Sequence, residues 1–101
     1  MALTGREVLV IGAGVAGLAV ARALALRGAA VTVLEQAPEI SEVGAGIQLS
    51  PNGGRVMAAL GLGPALAAAS GESRAVVLRD ARGAEVLRMD LAGRGRFALV
   101  H

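Results

Sequence analysis

Apolar residues in the first third of the chain form two short runs with a helix-like stretch between them. Arg6–Ile11 is largely apolar, as in parallel strands that are buried on both faces. Val15–Arg27 is rich in Ala and Leu, and Gly28 follows it where a helix C-terminal glycine is common. Ala30–Glu35 is a second run, with strand-forming Val and Thr. This order predicts a strand, a helix and a second strand.

Shorter elements, separated by Gly and Pro, follow along the rest of the chain. Ala37–Glu42 is polar and contains Pro38, so we expect a loop there. Ser50 or Asn52 is expected to cap the next helix, since both residue types favour that position. The elements predicted after the loop are a glycine-rich segment leading into a short strand over 44–50, a helix to about Leu60, a helix over Pro64–Ala69, a hairpin of Val76–Asp80 and Ala84–Asp90 around Ala81–Gly83, and a strand from Phe97 to His101.

Length and composition limit the chain to one domain at most. The chain has 101 residues, of which 54% are hydrophobic, so it is globular rather than disordered. Phe97 is its single aromatic residue, and large side chains that fill a core are therefore scarce. We predict an α/β fold in which the strand–helix–strand unit is followed by two short helices and an antiparallel β-hairpin. The small core indicates an incomplete domain.

Gly12, Gly14 and Gly17 form a G-x-G-x-x-G pattern between the first strand and the helix. In such a pattern the glycines permit a tight turn, the approach of a pyrophosphate, and close helix–strand packing. The N–H groups and the dipole of the helix N-terminus favour the phosphates. Glu35 lies at the tip of the second strand, where a carboxylate can accept hydrogen bonds from the ribose hydroxyls and repels a 2′-phosphate. The pattern predicts a Rossmann-like βαβ unit that binds the ADP part of a dinucleotide.

Two other interpretations of the same residues are weaker. The apolar run from Val8 to Leu26 approaches the length of about 20 residues that a membrane span needs. However, Arg22 interrupts the run, closely spaced glycines lie near its middle, and a strand-like segment ending in an acid follows. A secretory signal peptide is disfavoured because the N-terminus lacks a basic region and the Ala25–Gly28 segment is a poor cleavage site.

Charge and cysteine content exclude several classes of function. The net charge is +2, every basic residue is Arg, and the arginines are scattered apart from Arg94 and Arg96, so no basic stripe indicates nucleic-acid binding. The chain has no cysteine, which removes disulfides, cysteine-based zinc sites and thiol chemistry. We therefore expect a cytoplasmic protein without a nucleic-acid or membrane partner and without a metal site.

Three sequence segments together resemble a known family. The order GAGVAGLAVA, VTVLEQAP and GAGIQLSPN, followed by a helix that ends in ALGL, resembles the FAD-dependent aromatic-ring monooxygenases. This group includes salicylate hydroxylase and para-hydroxybenzoate hydroxylase. GAGIQLSPN is the more specific motif, because dinucleotide-binding folds in general do not share it. The resemblance covers nearly the whole chain.

The resemblance implies that the chain binds FAD. Val15 and Ala16 would offer backbone N–H groups to the pyrophosphate, and Gln36 stands where the family often has an Arg or Lys over the adenine. The segment Gly46–Gln48 resembles a loop that passes near the flavin ring. The implied cofactor-binding residues are Gly12, Gly14, Val15, Ala16, Gly17, Glu35, Gln36, Gly46, Ile47 and Gln48. A bend in a strand is an alternative role for Gly44 and Gly46.

In this family NADH or NADPH serves as a transient reductant, and an oxygen atom is transferred to a small aromatic substrate. The cofactor carries this chemistry, so we assign no catalytic residue. His101, the only histidine, is interpreted as structural. The resemblance leaves the substrate, the choice of NADH or NADPH and the oligomeric state open.

The resemblance also implies that residues 1–101 are the N-terminal part of an FAD-binding domain, without a substrate domain. Family members are several times longer, and their two downstream flavin motifs, each with an Asp-Gly or Gly-Asp pair, have no counterpart here. Val100-His101 matches the start of a His-Arg segment of the family. Two alternatives remain: a piece of another FAD- or NAD-binding oxidoreductase, and a nucleotide-binding remnant without catalysis. The segment GAGIQLSPN favours the monooxygenase group over the first of these.

Overall fold

The computed structural model describes residues 2–41 and 46–100. The chain forms two compact units, which divide between Val43 and Gly44. We call them the N-terminal unit and the C-terminal unit, and each is described by itself.

The N-terminal unit consists of one helix and two parallel strands. Its elements are β1 (Glu7–Ile11), α1 (Val15–Leu26) and β2 (Ala30–Leu34). β1 and β2 are paired in parallel from Glu7 opposite Ala30 to Ile11 opposite Leu34. The predicted strand–helix–strand unit is confirmed, with β1 beginning one residue later than predicted and Glu35 lying just beyond the end of β2.

One face of this two-stranded sheet is covered by α1, which packs against both strands. Small residues allow the close approach, since Ala21 is the buried residue of α1 and Gly17 lies one turn before it. On the other face Leu9, Ile11 and Leu34 are exposed. Alternation along each strand therefore separates a helix-covered face from an uncovered apolar face.

The end of α1 follows the predicted glycine signal. Gly28 has φ +95°, a conformation that residues with a Cβ rarely adopt, and its N–H donates to the Ala25 carbonyl at 3.0 Å. The guanidinium of Arg27 donates to the Ala23 carbonyl at 3.1 Å. A cation is thereby placed at the negative end of the helix dipole.

The C-terminal unit contains two short helices and two antiparallel sheets. Its elements are β3 (Ile47–Leu49), α2 (Pro51–Ala59), α3 (Gly63–Ala69), β4 (Ser70–Ser73), β5 (Ala75–Arg79), β6 (Glu85–Asp90) and β7 (Phe97–Val100). One sheet has the strand order β3-β7-β4, and the other is the hairpin β5-β6. The two short helices and the hairpin are confirmed.

Several details differ from the sequence-based expectation. β4 was not predicted, because its sequence SGES is short and polar; it forms through antiparallel pairing with β7. Ser50 occupies the position before α2, but its side chain makes no capping hydrogen bond, and Pro51 begins the helix. Asn52 lies inside α2 rather than at its cap. α3 begins at Gly63, one residue before Pro64.

The turn of the hairpin is held by one carboxylate. Asp80 accepts hydrogen bonds from the backbone N–H groups of Arg82 at 2.8 Å and Ala84 at 3.0 Å. Gly83 supplies a positive φ of +85°. Aspartate is common in turns for this reason, because its short side chain bonds the backbone two residues on.

No helix in the described part of the chain is both long and apolar enough to cross a membrane.

Candidate nucleotide-binding site

The turn between β1 and α1 is the first part of the site. Gly12 has φ +104°, which favours glycine, and its N–H donates to the Leu34 carbonyl at 2.7 Å. This bond extends the pairing of β1 with β2 into the turn. Gly12 therefore turns the chain sharply at the carboxyl end of the sheet, the place where ligands bind in open α/β folds.

Gly17 is required by the contact between helix and turn. A Cβ at this position would overlap the carbonyl oxygen of Gly12 and would lie 3.0 Å from its carbonyl carbon. These are backbone atoms, so they cannot rotate away. The third glycine of the pattern thus has a steric reason in this chain.

Gly14 differs from the other two glycines. Its φ of −74° is open to any residue, and a Cβ built on it would meet nothing within 4 Å. The fold of the N-terminal unit therefore gives no reason for glycine here. The open space in front of its backbone fits the approach of a phosphate, which is the role expected of the second glycine.

The first turn of α1 presents backbone donors beside this space. Gly14 precedes the helix, and its carbonyl accepts the first helical hydrogen bond, from the Leu18 N–H at 2.9 Å. The N–H groups of Val15, Ala16 and Gly17 come before this bond and have no carbonyl partner within the helix. They therefore form the positive end of the helix dipole, which attracts an anion.

Glu35 closes the site from the end of β2. One of its carboxylate oxygens accepts a hydrogen bond from the Ala13 N–H at 3.0 Å, and the other accepts one from the Ala37 N–H at 2.8 Å. Both hydrogen bonds favour the charged carboxylate and hold the pKa of Glu35 below its ordinary value of 4.5. The bond from the Ala13 N–H has the largest effect. The side chain is consequently an ionised acceptor at neutral pH.

This geometry fits the ADP part of a dinucleotide. An ionised carboxylate has about four lone-pair sites. Ala13 and Ala37 each use one on a different oxygen of Glu35, so lone pairs remain for ribose hydroxyl donors. The same N-terminal unit holds the glycine turn, the free N–H groups and the carboxylate together.

The remaining predicted residues lie in other surroundings. Gln36 follows Glu35 and is exposed, and its backbone N–H contributes weakly to the lowered pKa of Glu35. Gly46 immediately precedes β3, and Ile47 and Gln48 are exposed within it, opposite Val100 and Leu99 of β7. They belong to the C-terminal unit. Gly44 and His101 lie outside the described residues.

Sequence reasoning missed the roles of Ala13 and Ala37. Both contribute only a backbone N–H, and Ala13 is itself 8% exposed. No side-chain type marks such a donor, although position within the G-x-G-x-x-G turn could have indicated Ala13. Within residues 2–41 and 46–100, no group of three or more His, Cys, Asp or Glu side chains is arranged to hold a metal ion.

Comparisons with known proteins agree on one family. The profile of the family described as FAD-dependent oxidoreductase matches residues 7–94. The chain is 51% identical over 89 residues to a 3-amino-4-hydroxybenzoate 2-monooxygenase of Streptomyces cremeus. The aligned region covers 87% of this chain and 23% of the relative. It is 62% identical over 56 residues to a 3-hydroxybenzoate 6-hydroxylase of Polaromonas naphthalenivorans, covering 55% of this chain and 14% of the relative.

Solved structures show the same similarity. The tetrameric form of 2-methyl-3-hydroxypyridine-5-carboxylic acid oxygenase matches with a TM-score of 0.85 and 30% identity, covering 96% of this chain and 25% of the other. Klebsiella pneumoniae HpxO, complexed with FAD and uric acid, matches with a TM-score of 0.80 and 33% identity, covering 94% of this chain and 25% of the other. The chain thus spans about a quarter, or less, of the length of these relatives.

Proposed function

This chain belongs to the FAD-dependent oxidoreductase family, and we propose that its N-terminal unit binds the ADP part of FAD within a monooxygenase that acts on a small aromatic substrate. The observation that carries the proposal is the joint placement of Gly12, the free N–H groups of α1 and the Glu35 carboxylate at one end of the sheet. Similarity to aromatic hydroxylases supports the substrate class.

The pyrophosphate is assigned to the turn and the helix N-terminus. Gly14 leaves room for it, and the N–H groups of Val15, Ala16 and Gly17 donate to its oxygens. Backbone donors of this kind need no rearrangement when the ligand binds, and hydrogen bonds to a charged acceptor contribute about 1.5–3 kcal/mol each. The first turn of α1 therefore supplies most of the phosphate contacts that this chain offers.

Glu35 is assigned to the adenosine ribose. Its fixed, ionised carboxylate accepts hydrogen bonds from both hydroxyls, and the bonds from Ala13 and Ala37 keep it in position. A 2′-phosphate would bring a second anion against the Glu35 carboxylate, and repulsion between the two like charges disfavours it. The site therefore favours FAD over a 2′-phosphorylated dinucleotide as the resident ligand.

Gly46, Ile47 and Gln48 are proposed to approach the flavin ring. β3 is at the edge of its sheet, with β7 on one side, so the backbone groups on its other side have no strand partner among the described residues. The side chains of Ile47 and Gln48 are exposed. Gln36 is proposed to lie beside the adenine, where an uncharged amide would replace the cation common in the family.

The bound FAD supplies the redox and oxygen-transfer chemistry, with NADH or NADPH as its transient reductant. The residues of this chain bind and orient the cofactor, and none is proposed as catalytic. We also propose a cytoplasmic location, which the lack of any cysteine supports because nothing in the chain requires an oxidising compartment.

Calorimetric titration of the 101-residue chain tests the ligand assignment. FAD and ADP share the ADP part, so both should bind with similar dissociation constants, whereas FMN, which lacks it, should bind much more weakly. Glu35→Ala should weaken ADP binding about tenfold or more, since the hydrogen bonds of a charged acceptor are lost. Equal binding of FMN and FAD, or unchanged ADP affinity in Glu35→Ala, would contradict the proposal.

A further inference from the structure

Asn52 is the only asparagine of the chain, and it is followed directly by Gly53. Asparagine is a thermolabile residue, because the backbone nitrogen of the next residue can attack its side-chain carbonyl carbon and close a five-membered ring. A glycine in the next position leaves that nitrogen without side-chain obstruction. The chain therefore has one Asn-Gly pair, and this pair has no role in the nucleotide assignment.

The structure leaves both reacting groups without hydrogen bonds. Asn52 is the second residue of α2 and is exposed. The first helical hydrogen bond of α2 comes from the Gly54 N–H, which donates to the Ser50 carbonyl at 3.0 Å. Gly53 lies before that donor. Within the part of the chain that the structure describes, neither the Gly53 N–H nor the Asn52 side chain makes a hydrogen bond.

Ring closure requires the first turn of α2 to open, because a helical backbone at Asn52 does not align the Gly53 nitrogen with the side-chain carbonyl carbon. Three features of this turn favour opening. The Ser50 side chain makes no capping hydrogen bond, and no acidic residue lies in the first turn to stabilise the helix dipole. Gly53 and Gly54 both lie in the helix, and glycine is the least favourable helix residue after proline. We therefore expect the turn to open locally, without global unfolding.

We propose that Asn52 is a site of deamidation in the folded chain, with water as the only co-reactant. The Gly53 nitrogen attacks the Asn52 Cγ, the bond from Cγ to the side-chain nitrogen breaks, and the proton of the Gly53 N–H leaves with that nitrogen as ammonia. Water then opens the succinimide at either ring carbonyl, leaving its hydroxyl on that carbon and its proton on the Gly53 nitrogen. Opening at Cγ gives aspartate. Opening at the main-chain carbonyl gives isoaspartate, in which the backbone continues through Cβ.

The two products affect α2 in opposite directions. Aspartate at this position adds a negative charge to the first turn, where the helix dipole favours it. Isoaspartate adds a methylene to the backbone one residue after Pro51. Pro51 is in close contact with the segment before β7, since a Cβ built on Gly95 would lie 2.8 Å from the Pro51 Cγ. The longer backbone therefore disturbs this contact. The proposal concerns the C-terminal unit alone and does not depend on nucleotide binding by the N-terminal unit.

Incubation of the purified 101-residue chain in mildly alkaline buffer tests the proposal. Ion-exchange chromatography should resolve products with one more negative charge, and peptide mass spectrometry should place the exchange of NH2 for OH at Asn52. Both aspartate and isoaspartate should be found, since a succinimide opens in two ways. Urea at concentrations below the unfolding transition should change the rate little, because local opening exposes little surface.

Gly53→Ala and Gly54→Ala are matched variants, because each replaces a glycine within α2. The new Cβ at Gly53 would lie 3.1 Å from the Leu49 Cδ2, the end of a flexible side chain, and the one at Gly54 would meet nothing within 4 Å, so both variants should fold. Gly54→Ala should slow the conversion by up to about fivefold through its higher helix propensity. Gly53→Ala also places a methyl group beside the attacking nitrogen and should leave nearly all Asn52 unconverted while half of the parent reacts.

Asn52→Asp reproduces the aspartate product and should raise Tm by about 1–8 °C through its charge at the helix N-terminus. Four results would overturn the proposal. The first is no conversion of Asn52 while the chain is folded. The second is a rate that rises with urea as steeply as the unfolding equilibrium constant, which would show that only the unfolded chain reacts. The third is aspartate as the sole product, which would show direct hydrolysis by water. The fourth is an equal effect of Gly53→Ala and Gly54→Ala, which would show that the attacking nitrogen needs no glycine.

Discussion

Replacement of Gly17 by Ala tests the packing of α1 against the glycine turn. The new Cβ would overlap the Gly12 carbonyl oxygen, so the helix or the turn must move. Overpacking of this kind costs about 1–3 kcal/mol, and the obstacle here is backbone, which cannot change rotamer. Alanine regains up to about 1 kcal/mol through its higher helix propensity. Because the obstacle is backbone, we take the overpacking cost at the upper end of its range, about 3 kcal/mol, and expect a net loss of about 2 kcal/mol in the free energy of unfolding.

Thermal unfolding followed by circular dichroism measures this loss, since the chain has no Trp or Tyr for fluorescence. In a protein of this size about 2 kcal/mol lowers Tm by about 8–16 °C. Gly54→Ala is the matched control: it is also a glycine within a helix, but a Cβ there meets nothing within 4 Å, so it should raise stability by about 1 kcal/mol. If Gly17→Ala were as stable as the parent, or if both variants changed Tm in the same direction, the steric account of the third glycine would be wrong.

Four further predictions follow from the two units. Gly14→Ala should change the free energy of unfolding by at most about 1 kcal/mol, since its Cβ is unobstructed, yet should weaken ADP binding measured by calorimetry. Because the pKa of Glu35 is lowered in the folded chain, the ionised carboxylate stabilises the fold at pH values above 4.5, and this stabilisation is lost as pH falls through the folded-state pKa. Denaturation of Glu35→Gln, followed across the same pH range, should lack this pH-dependent part of the stability. Asp80→Ala should speed hydrogen exchange at the Ala84 amide, whereas Asp80→Asn, which retains an acceptor oxygen, should change it less. FAD should be lost from the isolated chain during gel filtration, and recovery of stoichiometric flavin would contradict this.

The elements predicted correctly are those that depend on local patterns. β1, α1 and β2 follow from two apolar runs, an Ala- and Leu-rich stretch and glycines at both helix ends. The β5-β6 hairpin follows from alternation on both sides of a turn with Asp80 and Gly83. In each case neighbouring residues contain the physical reason for the structure.

β4 and the detail of the site depend on residues that are distant in sequence. Ser70–Ser73 becomes a strand because β7 offers it backbone partners, a pairing that its own composition does not indicate. The hydrogen bond between Glu35 and the Ala13 N–H likewise joins a predictable side chain to a backbone group that any residue has.

The central claim is that the first turn of α1 and the Glu35 carboxylate together bind the ADP part of FAD. Titration of ADP into the ¹⁵N-labelled chain, followed residue by residue, tests it most directly. We expect the largest shifts at the amides of Val15, Ala16, Gly17 and Glu35, and a much weaker response to ADP that also has a 2′-phosphate. Glu35→Gln should reduce that discrimination. Shifts of equal size throughout the chain, or equal binding of the two nucleotides by the unmodified chain, would contradict the claim.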